Sequence, residues 1–432
     1  MPISNSFAGR LLPILRQLAD GYGTPFHIYD AEGIVDTHRK MVAAFDGADF
    51  KQYFAVKALP NPNILRLLAE EGAGLDCSSP TELRLARSVG ARGEDIIFTA
   101  NNTSSAEYEE AIRSRALVTF DDAEMADRLS ALPDLVSFRV VPDGVVPRSV
   151  QMGDAVGSKF GVAVKDAAGA YELCRTRGVR RFGIHGMTIA NELDTASAVA
   201  AARAVMLAAK WISCRTGVTF EYVNIGGGLG IPYRPDDRPI DVELFARGVI
   251  RSRDEIFAGA TPRIVAEFGR YVTGPHGVLV SRVTSRSRKG VDVIALDASM
   301  SALMRPAMYP SAYHHVTAPF RGGTAQRFDV VGPLCENMDK FGTDRLLPPV
   351  QVGDLVMIHD TGAHGHAMGF TYNGRLRPAE LLLGLDGRVL EIRRPESFDD
   401  YIGTVVDPPV PLALSTRHGI APRAGELTRA DG

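Results

Sequence analysis

Four short segments set reactive or anion-binding residues directly after apolar runs. Lys57 follows QYFAV (52–56) and opens ALPNPNIL. A lysine at the end of a buried strand lies on the floor of a site, and partial loss of water frees its amine to condense with a carbonyl. Taken alone, it reads better as a surface lysine at a strand end. Gly226, Gly227 and Gly228 lie in NIGGGLGIPY. Consecutive glycines let backbone N–H groups approach a phosphate, and a nearby helix N-terminus would add its dipole. A plain turn is an equally good reading of three glycines. The segment is neither a P-loop nor a dinucleotide fingerprint, because the residues that complete those motifs do not follow. Glu267 and Arg270 occur in AEFGRYV. Such a carboxylate can keep an aromatic ring nitrogen protonated, which makes the ring an electron sink, and such an arginine can clamp a phosphate or carboxylate. As a lone tetrapeptide they fit an ordinary surface ion pair better. His185, in FGIHGMTIANE, fits either a stacking partner for a flat ring or a buried histidine satisfied by backbone.

The elements that must position these residues alternate regularly. From about residue 26 to 280, β-like runs such as FHIYD (26–30), QYFAV, DIIFT (95–99), ALVTF (116–120), LVSFRVV (135–141), RFGIH (181–185), FEYVNI (220–225) and RIVAEF (263–268) are separated by segments with helical apolar spacing. Repeated βα units predict a parallel sheet with helical cover. The polar and Gly-rich features fall after many different strands. An open sheet would gather them at one switch point, so the spread predicts a closed eight-stranded (β/α)8 barrel, the TIM barrel. Beyond about residue 280 the texture becomes β-rich with DG and NG turns, which predicts a separate β domain.

Composition narrows the class. The 432 residues are 45% hydrophobic and 23% charged, with a formal net charge of −3. That length predicts two domains, and that balance predicts a soluble globular protein without nucleic-acid or membrane partners. No signal peptide and no apolar run of bilayer-spanning length is evident, and a cytoplasmic location is expected. Cys77, Cys174, Cys214 and Cys335 form no metal-type spacing, so free thiols and no bound metal are expected.

Taken together, these segments resemble the alanine-racemase-like, fold type III decarboxylases that use pyridoxal 5'-phosphate (PLP), and among them diaminopimelate decarboxylase. The resemblance covers nearly the whole chain: YGTPFHIYD (22–30), YFAVKALPNP (53–62), GLDCSSPTEL (74–83), IIFTANNTS (96–104), SKFGV (158–162), NIGGGLGIPY (224–233), EFGRYV (267–272), RPAMY (305–309), GPLCEN (332–337), GDLVMIHDTGAHG (353–365) and YNGRLRPAELLL (372–383), in that order. It implies a PLP-binding TIM barrel over residues 26–282, a C-terminal β-sandwich or Greek-key domain built from 1–25 plus 283–420, and a flexible tail at 421–432. It also implies a homodimer with shared active sites and a small amino-acid substrate.

Residue by residue, the resemblance implies that Lys57 holds the cofactor through an imine and His185 stacks on its ring. Gly226, Gly227, Gly228 and Tyr372 bind its phosphate, and Glu267 pairs with its ring nitrogen. Arg270, which also belongs to the cofactor site, Arg305 and Tyr309 hold substrate carboxylates. Cys335, a proton-donor candidate, and Glu336 come from the partner subunit, and Glu336 and Tyr372 also count among the substrate-binding residues. The activity implied is decarboxylation of meso-2,6-diaminopimelate to L-lysine. A carboxylate-binding arginine at the far end would reject ornithine, which leaves that arginine buried and unpaired. The alternatives are decarboxylation of ornithine, lysine or a siderophore or antibiotic intermediate, PLP-dependent racemisation, and an inactive regulatory homologue. The sequence departs from the family at three places. EPGR reads EFGR, the loop after His185 lacks the phosphate-binding serine, with Thr188 or Asn191 as substitutes, and His364 stands where tyrosine is common.

Overall fold

The computed structural model describes residues 3–142, 159–259, 261–309 and 311–411. Parallel strands at Phe50–Ala55, Gly74–Cys77, Ile96–Thr99, Leu117–Phe120, Leu135–Val141, Arg181–His185, Tyr222–Asn224 and Arg263–Ala266 close an 8-stranded barrel. The eighth strand returns to the first, with Ile264 opposite Phe50. Strand periodicity then fixes what lines the barrel. Tyr53, Ile97, Leu117, Leu135, Tyr222 and Val265 form one buried apolar cluster inside it. Gly74 and Gly183 make room there. A Cβ at Gly74 would lie 2.3 Å from the Tyr53 ring, and one at Gly183 2.2 Å from the Tyr222 ring. Two residues further along the strands the same inward positions become polar: Thr99, Thr119, Ser137, His185, Asn224 and Glu267, all buried. The barrel therefore has an apolar floor and a polar layer at the C-terminal ends of its strands, where this architecture does chemistry.

The outward faces of the strands, including Phe54, Leu75, Phe98, Val118, Phe138 and Ile184, pack against the surrounding helices in the main core. Helix Thr195–Thr216 is long and apolar enough by composition to cross a membrane, a match the sequence reading did not find. Here it serves as barrel cover, with Ala198, Ala202, Val205, Met206, Ala209 and Ile212 buried in that core.

The second sheet is mixed and nine-stranded. Its strand Phe26–Asp30 runs antiparallel to Gly277–Lys289 and parallel to Ala379–Leu383. This corrects two expected boundaries. The FHIYD run is a β-domain strand rather than the start of the barrel, and the β domain recruits residues from 277. A run of five consecutively buried residues suits either sheet, so composition alone could not assign it. Helix Asn5–Tyr22 packs Phe7, Leu11 and Leu15 onto Phe26, Ile28, Val278, Val280 and Leu381 of this sheet. Among the described residues the last strand ends at Arg393, and the expected domain limit at 420 lies outside them. Met1–Pro395 form one compact unit, and a second begins at Glu396, holding a short helix, Phe398–Ile402, with a capping box from Ser397 and Asp400. The expected tail, 421–432, lies outside the described residues.

Candidate active site

Lys57 sits in a single 3-10 turn, Val56–Ala58, that terminates the first barrel strand. Its side chain is 48% exposed and its Nζ lies 3.8 Å from Asp76 Oδ2. The lysine thus stands beside Asp76 at the mouth of the barrel rather than sequestered on its floor. It lines a cavity of about 340 Å³ together with Ser78, Thr99, Arg139, His185, Glu267, Arg270, Arg305, Tyr309 and His364.

Glu267 is the electrostatic centre of that cavity. Its Oε1 accepts from Asn224 Nδ2 at 2.6 Å and Thr99 Oγ1 at 3.1 Å, and its Oε2 faces His185 Nε2 at 3.2 Å. Burial by itself pushes the carboxyl up, but His185, Lys57 and the Asn224 hydrogen bond outweigh it and hold the group at about 2. Asp76 responds in the opposite sense. Burial and the Glu267 charge push it well above the usual carboxylate range despite Lys57. The two buried carboxyls are thus pushed in opposite directions, which favours the negative charge on Glu267 over Asp76.

The glycine turn is built for close approach. Gly226 and Gly228 have φ of +71° and +102°, and Cβ atoms there would lie 2.6 Å from Gly186 O and 2.3 Å from Ile189 O. Gly226 N–H already donates to Asn224 Oδ1 at 2.9 Å, so Gly227 and Gly228 supply the N–H groups with no acceptor among the described residues. The expected helix N-terminus is not there, since the next helix starts at Val242. In the neighbouring loop, Asn191 Oδ1 accepts from Ile231 N at 3.2 Å, whereas Thr188 Oγ1 is buried without a partner. Of the two substitutes for the missing serine, Thr188 has the free hydroxyl.

Arg270 and Arg305 stand together at the cavity wall. Arg270 Nη1 donates to Tyr233 Oη at 2.5 Å. Arg305 Nη1 faces Tyr313 O and His314 Nε2, both at 3.3 Å. Its Nε is buried without a partner. His364 N–H donates to Ala58 O at 2.8 Å, beside Lys57. Burial and the charges of Arg270, Lys57 and Arg305 hold the His364 imidazole far below its usual range, so it is neutral.

Three expected residues stand apart from this cavity within one chain. Cys335 and Tyr372 are exposed, the Cys335 N–H donates to Asn373 Oδ1 at 2.9 Å, and Glu336 hydrogen-bonds Tyr372 and raises its phenol. Tyr372, expected at the phosphate, lies with the segment expected to serve a partner subunit. Sequence reasoning passed over Asp76, Thr99, Arg139 and Asn224 as site residues. Their signal was positional: each falls at an inward position near the C-terminal end of a barrel strand.

The donor set fits a phosphorylated aromatic aldehyde. A lysine amine and a buried carboxylate line one cavity, and the neighbouring loops carry a tight glycine turn and an orphaned hydroxyl. This fold and site define a fold type III PLP-dependent decarboxylase. Residues 31–274 match the family model for the pyridoxal-dependent decarboxylase pyridoxal-binding domain, and the chain belongs to that family. It is 57% identical over 418 residues to Protein TabA of Pseudomonas amygdali pv. tabaci, covering 96% of this chain and 99% of that one. It is 34% identical over 399 residues to the diaminopimelate decarboxylase of Methanothermobacter thermautotrophicus, covering 89% and 92%. The crystal structure of the M. jannaschii diaminopimelate decarboxylase with L-lysine superposes with a TM-score of 0.84 at 30% identity, covering 91% and 94%.

Proposed function

We propose that this enzyme removes a carboxylate from meso-2,6-diaminopimelate to give L-lysine and CO2, acting as a cytoplasmic homodimer whose active sites are shared. The observation that carries the substrate is Arg305. With Nη1 engaged, its Nε and Nη2 have no partner among the described residues, and that edge of a guanidinium is the fork that receives a carboxylate in bidentate fashion. A cavity in which Arg270 and Arg305 stand opposite no carboxylate among the described residues suits an amino acid that carries a second carboxylate.

Lys57 would hold PLP, with Gly227, Gly228 and Thr188 at its phosphate, His185 against its ring and Glu267 at its ring nitrogen. When bound, PLP supplies a protonated ring that accepts the electron pair left by departing CO2. The chain's own residues do the rest. Glu267, ionised and fixed by Asn224 and Thr99, favours the proton on that nitrogen. Arg270, Arg305 and Tyr309 orient the substrate, and Cys335 of the partner subunit returns a proton to carbon.

Incubation with meso-diaminopimelate tests the reading, with L-lysine and CO2 as the expected products. Turnover of ornithine or lysine in its place would overturn the substrate and leave the reaction class intact. A second reading, a related decarboxylase acting on another amino acid, is supported by the 57% identity to Protein TabA against 34% to a diaminopimelate decarboxylase. A panel of such acids, assayed for released CO2, separates the two.

A further inference from the structure

Two of the cavity arginines, Arg270 and Arg305, converge on one side chain outside the cavity wall. Tyr233 is 3% exposed. Its hydroxyl accepts from Arg270 at 2.5 Å, and its ring face lies 3.7 Å beneath the Arg305 guanidinium carbon. His314 packs edge-on against the same ring, with centroids 5.0 Å apart, and is fully buried. Its Nδ1 donates to His359 O at 2.7 Å, which leaves Nε2 as the acceptor facing Arg305 Nη1. Burial and the Arg305 charge hold this imidazole at about 3, so it keeps the neutral form that the contact requires.

The arrangement holds two like charges side by side. Among the described residues neither Arg270 nor Arg305 has a carboxylate within salt-bridge distance. The Arg270 charge works against that of Arg305. Free side chains would rotate apart, because each long arginine gains rotamer entropy and loses repulsion by doing so. The phenol hydroxyl, the ring face and the imidazole remove that freedom.

We infer that Tyr233 is a specificity-determining positioning residue: it locks Arg270 through its hydroxyl and Arg305 through its ring, preforming a two-arginine site for the substrate's second carboxylate. The inference rests on the proposed substrate class and adds the residue that sets its geometry. Preorganisation of this kind lowers the ordering cost of binding, so its loss appears in KM before kcat.

Two variants separate the two contacts. Tyr233→Phe removes the hydroxyl and keeps the ring. KM for meso-diaminopimelate is expected to rise about tenfold, with a smaller change in kcat. Tyr233→Leu also removes the ring face and is expected to add a further rise of about fivefold or more. Calorimetric binding of heptanedioate, a dicarboxylate without amines, to the holoenzyme gives a readout independent of turnover and should weaken in the same order. Unchanged KM and unchanged heptanedioate affinity in both variants would overturn the inference while sparing the substrate. No turnover of meso-diaminopimelate, with heptanedioate affinity still falling through the series, would retain the clamp and reject that substrate. Failure of the wild-type holoenzyme to bind either compound would reject both.

Discussion

His185 Nε2 lies 3.2 Å from Glu267 Oε2, and both side chains are buried in the polar layer of the barrel. The contact joins the ends of the sixth and eighth barrel strands into one electrostatic unit. It is also what overcomes the burial penalty on the Glu267 carboxyl, together with Lys57 and Asn224.

That unit makes Glu267→Gln a two-part test. The neutral amide cannot favour a proton on a ring nitrogen, so kcat is expected to fall about 100-fold or more in steady-state assays. Stability gives the second readout. The folded carboxyl sits at about 2 against an ordinary value of 4.5, so its contribution is fully present above pH ~4.5 and is lost as pH falls towards 2. Urea midpoints of the wild type should decline across that window by more than those of the Gln variant.

Thr188→Val tests the orphaned hydroxyl. Its Oγ1 is buried without a partner, so the isosteric valine removes an unsatisfied polar group and should stabilise the cofactor-free protein by about 1 kcal/mol. PLP affinity, measured by fluorescence or absorbance titration, should fall. A variant that loses apo stability and keeps full PLP affinity would contradict the phosphate role given to Thr188.

Asp360 is buried beside Arg305, with one oxygen unpartnered and φ of +59°. Burial raises it to about 8, with Arg305 opposing. Between pH ~4 and 8 the folded chain holds a proton that the unfolded chain releases, so stability falls as pH rises through that range. Asp360→Asn should therefore be more stable than the wild type at pH 8 and equal to it below pH 4. Asparagine also tolerates the left-handed backbone. Thermal melts at the two pH values decide it.

Shared sites predict complementation. Lys57→Ala and Cys335→Ala should each be nearly inactive, and Lys57→Ala should also lose the imine absorbance band. Mixed in equal amounts and allowed to exchange subunits, they should recover about a quarter of wild-type activity, because half the dimers are mixed and each of those has one intact site. No recovery after verified exchange would place Cys335 in its own chain's site.

The chemistry was legible in the sequence because barrel strands carry it locally. A strand ending in Lys57, His185 or Glu267 delivers that side chain to the barrel mouth through period-two alternation, which is a property of a few adjacent residues. The glycine triplet was equally local, since Gly226 and Gly228 adopt backbone angles that other residues resist. What the sequence alone determined is therefore the closed α/β architecture and the placing of Lys57, His185 and Glu267 at strand ends.

Only the tertiary structure decided which of them meet. Phe26–Asp30 joined the second sheet because its partners lie some 250 and 350 residues away, at Val278 and Leu381, beyond any local pattern. Tyr233, Arg270, Arg305 and His314 come from separate segments, and no spacing forecasts a phenol ring beneath a guanidinium. The same holds for charge. Asp76 and Glu267 are both plain carboxylates in the sequence, and only their shared burial, with His185 beside one of them, pushes their ionisation in opposite directions.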